Sequence, residues 1–253
     1  SLLTALLCRR DLDECYYWTA ELHASGFEVF PWLWWIYYSF YAELNPRLEA
    51  YMRTRAVTRT FRDTCAVVRN MHRARPTPTV FVLDQAASAR TLVPRAGTGP
   101  VFPNFPEAHQ AWLSCVKDHD MCGAVAHVVQ LAEAWCIESL FQILCEFHAE
   151  HMRASVDNEK MLQYWADRPG TDDLHHLVAI MVHMLRAPGE YDYRRLFIAP
   201  RDEALRYLSA GEPFGRPDRL LAAGRKYPTG EGIAAFALAR ERLYSDPASV
   251  LRH

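Results

Sequence analysis

The 253-residue chain lacks the short motifs that mark a nucleophile or a phosphate-binding loop. It contains no G-x-S-x-G, no Walker A loop and no G-x-G-x-x-G. These absences argue against an α/β-hydrolase, a P-loop NTPase and a dinucleotide-binding domain. A pair of Glu-x-x-His motifs is also missing, which argues against a di-iron helical bundle.

Lysine is scarce, with three against 25 arginines, and the seven cysteines include no C-x-x-C pair. An odd cysteine number without such pairs predicts reduced thiols and an intracellular location, in the cytoplasm or the nucleus. A membrane-spanning helix needs about 20 mostly aliphatic residues. The most apolar stretch, 27–44, consists largely of Trp and Tyr, so we interpret it as a buried core helix and expect no membrane association.

Half of the residues are hydrophobic and 12% are aromatic, which is enough for a substantial core. Apolar residues recur at helical spacing, as at Leu3, Leu6 and Leu7. The sequence therefore predicts an all-α protein, with at most one short β pair formed by 79–83 and 195–198. The formal charge of −2 indicates no particular class of partner.

An internal repeat is the most informative pattern in the sequence. Cys8–Cys15 and Cys115–Cys122 both read C-x-[RK]-D-x-D-x-C, at an offset of 107 residues. The same offset gives ten identities over the 38 positions from Leu6 to Glu43, where chance would give roughly two. We therefore predict a tandem duplication, with one helical unit at 1–104 and a second at 105–205. The Pro/Gly-rich stretch 93–106 reads as the linker, and 206–253 as a tail that packs on the units or on a partner.

The repeated aspartates stand where one helix is predicted to end and the next to begin. Asp is a preferred N-cap residue and stabilises the positive end of a helix, so we interpret Asp11, Asp13, Asp118 and Asp120 as capping residues. A metal site built from these carboxylates alone would lack further oxygen ligands. Gly26 is predicted to end the second helix.

Four residues are weak candidates for metal ligands, although we expect no metal and no cofactor. His119-Asp120 spells the doublet of the HD phosphohydrolases, and His148 and His151 lie three residues apart, after Cys145. A zinc site at the second group lacks a well-spaced fourth ligand. In the repeat, His119 aligns with Leu12 and Asp120 with the predicted capping residue Asp13, so a structural role is the default.

The segment 47–75 is rich in arginine, with eight arginines and two acidic residues. Arginine is favoured for bidentate contacts to phosphate. Arg55, Arg59 and Arg62 recur at helical spacing and are predicted to share one helix face. The candidate polyanion-binding residues are Arg53, Arg55, Arg59, Arg62, Arg69 and Arg73. The alternative is a solvated face paired with acidic residues elsewhere in the chain.

Two resemblances arise in the first 50 residues. The strings Asp11–Leu22, Ser25–Phe27 and Trp35–Tyr41, followed by Asn45–Arg47, resemble uncharacterised helical proteins of large DNA viruses that infect algae and amoebae. The first string is also similar to the C-terminal helical regions of clamp-loader-type ATPases. The first resemblance implies a viral origin rather than an activity, and the second implies only a helical collar.

The sequence favours a non-enzymatic interaction or scaffold protein that is part of a larger assembly, with a protein partner or self-association. Stacked helical units often present surfaces rather than a catalytic cleft. One alternative is a nucleic-acid-binding accessory protein that uses the arginines of 47–75. The other alternative is a metal-dependent, HD-like phosphohydrolase.

Overall fold

A computed structural model describes residues 2–92, 101–152, 155–168 and 172–186. These residues form eleven α-helices and one 3-10 turn and contain no strand, which confirms the predicted all-α class. The α-helices are α1 (Leu2–Leu7), α2 (Leu12–Ala24), α3 (Val29–Phe40), α4 (Pro46–Ala56), α5 (Phe61–Arg73), α6 (Thr79–Ser88), α7 (Gln110–Lys117), α8 (Met121–Leu131), α9 (Ile137–His151), α10 (Val156–Gln163) and α11 (Asp173–Leu185). The 3-10 turn Glu107–His109 precedes α7.

The predicted strand at 79–83 is wrong, because these residues form the first half of helix α6. Val80, Phe81, Val82 and Leu83 are all buried. A short, continuous apolar run suits a buried strand and a buried helix equally, so its periodicity could not decide between them. Helix α6 packs on α8 and α11, which cover the run. The proposed partner strand at 195–198 lies outside the described residues, as does the predicted tail.

The described residues divide into two compact units. The first unit contains 2–37 and 47–76, and the second contains 38–46 and 77–186. Helix α3 therefore contributes its first nine residues to one unit and its last three to the other. The boundary near residue 104 stays a sequence-based prediction.

The first unit is built around α2, which packs against α1 and α5. Its fully buried side chains are mostly aliphatic or sulfur-containing and include Leu6, Cys15, Cys65 and Met71. Burial raises the pKa of the Cys15 thiol to about 12, with a smaller contribution from Glu14, so this cysteine behaves as a small apolar residue. All seven cysteines lie within the described ranges, and none forms a disulfide.

The second unit is built around α11, which is buried from His175 to Leu185 and packs against α6, α8, α9 and α10. A buried polar network ties the end of α11 to the segment 38–46. The Glu43 carboxylate accepts hydrogen bonds from Thr77 Oγ1, at 2.5 Å, and from the guanidinium of Arg186. The Glu43 carbonyl lies 3.0 Å from Nδ1 of His183. Charge and hydrogen-bond partners thus compensate the burial of Glu43.

The aromatic helix α3 is largely core, as predicted. Within the first unit, Phe30, Leu33, Trp34 and Tyr37 are buried. Trp32 departs from the prediction because 49% of its surface is exposed. Across the described ranges, no helix combines the length and the apolar character that crossing a membrane requires.

Candidate functional site

The first unit carries an apolar groove with a volume of about 420 Å³. Three helices and one loop form its walls. The lining residues are Leu2 and Leu3 of α1; Trp18, Glu21 and Leu22 of α2; Ser25 and Phe27 of the following loop; and Trp32 and Ile36 of α3. We call this site the apolar groove.

The end of α2 determines where the rim of the apolar groove lies. Gly26 has φ +72°, and its amide donates to the carbonyl of His23 at 3.0 Å. The amide of Phe27 donates to the carbonyl of Leu22, also at 3.0 Å. This pair of bonds is a Schellman motif, in which the residue after the glycine packs back on the last turn of the helix. The predicted helix stop at Gly26 is therefore confirmed, and it places Phe27 beside Leu22 in the groove.

Two aromatic side chains at the rim are half exposed. Phe27 is 45% exposed and Trp32 is 49% exposed, and their ring centroids lie 6.0 Å apart. Trp35 lies a further 6.0 Å from Trp32 in an edge-to-face arrangement. Adjacent exposed aromatic residues beside an apolar cavity are typical of interaction surfaces, where Trp is enriched among the residues that dominate binding energy.

The floor of the groove is held in place by a buried polar cluster. The Trp18 indole donates to Oε1 of Glu14 at 3.2 Å, and Arg10 pairs with the same oxygen at 3.1 Å. A ring fixed by a hydrogen bond loses little conformational entropy when a ligand packs on it. The groove is therefore preorganised in the absence of a partner.

The electrostatic character of the groove is acidic. Glu21 is the only ionisable residue among the described residues that line it, and its Oε1 accepts a hydrogen bond from the Tyr17 hydroxyl at 3.1 Å. Helices α1 and α3 contain no charged residue. Helix α2 contains Asp13, Glu14 and Glu21 and neither lysine nor arginine. A basic group on a ligand would therefore meet favourable charge at Glu21.

The arginines Arg55, Arg59 and Arg62 do not share one helix face, so that prediction is wrong. Helix α4 ends at Ala56, and α5 begins at Phe61. Arg59 lies in the turn between them with φ +50°. The helix breaks here because Thr60 and Asp63 form a capping box that starts a new helix.

Three of the six candidate arginines serve the structure of the first unit. Arg53 pairs with Glu49 at 2.8 Å and lies over the Trp34 ring. Arg55 pairs with Asp63 at 3.1 Å. Arg69 is only 8% exposed. The exposed members of the set are Arg59, Arg62 and Arg73.

His119 and Asp120 lie in the loop between α7 and α8 of the second unit. Nδ1 of His119 is 2.7 Å from the carbonyl of Leu185, at the C-terminus of α11. Asp120 is the N-cap of α8 and accepts a hydrogen bond from the Gly123 amide at 3.1 Å. Both side chains thus make contacts at helix termini, as the capping interpretation of Asp120 predicts.

His148 and His151 lie on α9 and contact different surroundings. His148 is buried, with Nε2 at 3.5 Å from Asn158 Nδ2, and burial lowers its pKa below the ordinary value against an opposing effect of Glu159. The His151 ring packs on Phe102 and Phe147, with centroids 5.1 Å and 4.8 Å apart. Within the described ranges, no group of three or more His, Cys, Asp or Glu side chains is placed to hold a metal ion.

Sequence reasoning missed a buried polar chain in the second unit. Ser39 Oγ lies 3.1 Å from His175 Nε2, and His175 Nδ1 lies 3.4 Å from Asp84 Oδ2. The order of groups matches a serine–histidine–aspartate triad. Ser39 is fully buried, however, and lies inside α3, where backbone amides are used by the helix rather than by an oxyanion. These contacts therefore pair two buried side chains, Ser39 and His175, with the partly exposed carboxylate of Asp84.

Comparison with protein-family models, with curated proteins and with solved structures found no match to this chain. The resemblance to helical proteins of large DNA viruses consequently stays a hypothesis based on the residues quoted above.

Proposed function

We propose that the chain is a non-enzymatic interaction protein that binds a protein partner in the apolar groove of its first unit. The observation that carries the proposal is the pair of half-exposed rings, Phe27 and Trp32, at the rim of a cavity of about 420 Å³. Covering an apolar cavity and its exposed aromatic residues removes apolar surface from water, which favours binding of a partner. The fixed position of Trp18 at its floor supports the same role.

A tandem duplication would give such a protein two related helical units. Each unit has a short helix, a loop with one residue at positive φ, and a second helix that begins after an aspartate. In the first unit, Arg9 at φ +49° donates to the carbonyl of Ala74, just after α5, at 3.0 Å. In the second unit, His119 at φ +57° contacts the carbonyl at the end of α11. The parallel is one of local structure: the two residues at positive φ are 110 positions apart and the two N-cap aspartates are 109 apart, whereas the sequence repeat has an offset of 107.

The place of the chain in a larger assembly, with a viral origin, is part of the same proposal. Aromatic residues are enriched in the surfaces that components of an assembly bury against one another, and the rim of the groove is such a surface. The resemblance in the first 50 residues includes Phe27, at the rim, and the α2 residues of the wall.

Nucleic-acid binding is a second candidate function, supported by the exposed guanidinium groups of Arg59, Arg62 and Arg73. Exposed arginines suit phosphate contacts, which make binding strongly dependent on salt.

Selection from a displayed peptide library tests the interaction function. The full chain would serve as bait, and a variant with Trp32→Ser would serve for counter-selection. We expect enriched peptides that bind the chain and bind the variant at least tenfold more weakly, because the exposed indole lies at the rim. Peptides that bind both proteins equally, or a selection that yields none, would refute binding at the groove.

A further inference from the structure

The geometry points to one class of ligand for the apolar groove: we propose that it binds a basic amphipathic α-helix of a partner protein. This inference rests on the proposed interaction function and names the chemistry of the partner. It follows from the direction of the groove, from the backbone groups of its walls and from their charge.

The direction of the groove follows α2. Its lining includes Trp18, Glu21 and Leu22 of α2 and the C-cap residue Ser25, which follow the spacing i, i+3, i+4, i+7. The groove therefore runs along α2 for about two turns, or roughly 10 Å. On α3, Trp32 and Ile36 are four residues apart and line the groove in the same way. A helix laid in such a groove presents its own apolar residues at matching intervals.

The backbone groups around the groove favour a helical ligand. Most of the lining residues belong to α2 and α3, and the amide and carbonyl groups within a helix bond to one another. An extended peptide in this groove would bury amide groups without partners, which is costly. A helix satisfies its own backbone groups and can bury an apolar face at no such cost. The described residues of the first unit also contain no strand to which an extended peptide could pair.

The groove offers one carboxylate to a ligand. Among the described residues that line it, Glu21 is the only charged one. A lysine or arginine beside the apolar stripe of the ligand would meet this carboxylate, whereas an acidic ligand would be repelled by it.

Charge also argues against a second copy of the chain as the occupant. In a symmetric dimer the same patch meets itself, so both copies would bring Glu21 into one interface. The described residues that line the groove include no lysine or arginine to pair with it. A separate, basic partner gives the complementary arrangement.

Fluorescence anisotropy with synthetic peptides and the full chain tests the inference. The probe is a capped peptide of about four helical turns, with Leu and Phe at i, i+3, i+4 and i+7 and Lys at the flanking positions. A matched peptide carries Glu in place of every Lys. We expect the basic peptide to bind at least tenfold more tightly than the acidic one. Trp32→Ser should weaken binding at least tenfold, and Glu21→Gln should weaken it about three- to fivefold, as for an exposed ion pair.

Control variants separate the outcomes. Val57→Ser changes an 83% exposed residue of the first unit outside the groove and should leave affinity unchanged. Equal or tighter binding of the acidic peptide would overturn the basic class while leaving the groove as an interaction site. If the displayed-library selection, with Trp32→Ser for counter-selection, yields only peptides that bind in an extended conformation, the proposal of a helical ligand is wrong. Self-association that is lost in Trp32→Ser, or tighter binding of a peptide from the tail 206–253 than of the probe, would identify another occupant and overturn the proposal.

Discussion

His109 places an imidazole in the core of the second unit without a hydrogen-bond partner. The side chain is fully buried, and both ring nitrogens lack a partner in the part of the chain that the structure describes. Its ring lies edge-on to Trp135, with centroids 4.5 Å apart. Burial lowers the pKa of His109, so the neutral form is present at neutral pH. A buried, unpaired polar group of this kind destabilises the fold.

Replacement of His109 by leucine should therefore raise stability at pH 7.5. We expect the free energy of unfolding to increase by about 1 kcal/mol, because the cost of the unsatisfied nitrogens is removed. His183→Leu is the matched control, since its Nδ1 contacts the carbonyl of Glu43 at 3.0 Å. That substitution should cost about 1–3 kcal/mol by leaving the carbonyl unpaired. Urea unfolding measures both, and destabilisation by His109→Leu would contradict the account of this residue.

Gly26 controls the position of the groove rim through its backbone alone. A Cβ at this position would meet no atom within 4 Å, so only φ +72° requires glycine. Gly26→Ala should cost about 1 kcal/mol of unfolding free energy, because L-residues are strained in the left-handed region. Gly26→Asn should cost less, since asparagine tolerates this conformation. Thermal unfolding checks the order; equal costs for both variants would place the strain elsewhere.

At the scale of helices, the junction between α4 and α5 depends on one carboxylate. Asp63 Oδ2 accepts a hydrogen bond from Thr58 Oγ1 at 2.6 Å, and Oδ1 pairs with Arg55 at 3.1 Å. Burial alone would raise the pKa of Asp63, but the hydrogen bonds from Thr58, Thr60 and Arg55 together lower it below its ordinary value. The charged form of Asp63 is thus the one that holds the junction.

Asp63→Asn should destabilise the chain by about 1–2 kcal/mol at pH 7. Because the pKa of Asp63 is lower in the folded state, its contribution is full above the unfolded value of about 3.9 and is lost as pH falls through the folded value. The difference between wild type and variant should therefore shrink below about pH 4. Asp11→Asn is the control, because the Asp11 side chain makes no capping hydrogen bond. Urea midpoints at pH 7 and pH 3.5 test this, and a constant difference would refute it.

The broken helix also changes how nucleic-acid binding must be tested. Charge reversal at Arg55 would break the pair with Asp63, so lost binding in that variant could reflect a damaged junction. The informative variant reverses Arg59, Arg62 and Arg73, which are exposed. If the chain binds DNA or RNA through this segment, the triple variant should lose binding, and the salt slope of the wild type should indicate about three phosphate contacts. Arg90→Glu changes an exposed arginine of the second unit and serves as the control. If the triple variant binds nucleic acid as tightly as this control, the segment 47–75 is not the binding site.

At the scale of the whole molecule, local signals predicted more than long-range ones. The stop at Gly26, the N-cap at Asp120 and the helical class each follow from residues that are neighbours in sequence. The half-exposure of Trp32 could not be predicted, because an all-apolar helix gives no indication of which side remains uncovered. The pairing of Ser39 with His175 spans 136 residues and is visible only after folding.

The arginine segment shows why spacing alone misled the prediction. A helical face from Arg55 to Arg62 requires an unbroken helix, and the residues between them include Thr58 and Thr60, whose hydroxyls bond to Asp63. Such side chains compete with the helix for backbone partners and favour a new N-terminus. A capping box read from Thr60 and Asp63 would have corrected the prediction from sequence alone.

Buried histidines make the stability of the molecule depend on pH, at pH values above those at which its carboxylates titrate. Burial lowers the pKa of His109, of His148 and of His183, the last against opposing contacts that include the Glu43 carbonyl. Both states are neutral at these sites well above the unfolded value of about 6.5. As pH falls below that value the unfolded state takes up protons first, so the free energy of unfolding should fall.

The expected result is a steady loss of stability between about pH 6.5 and pH 5. The carboxylates with lowered pKa values, Asp63 and Asp173, contribute only nearer pH 4, so this window reports the histidines. Urea unfolding across the window measures the slope, which is proportional to the extra protons bound by the unfolded state. His109→Leu should reduce that slope because it removes one of the titrating groups. A slope of zero, or one unchanged by the substitution, would show that His109 does not remain neutral in the folded core.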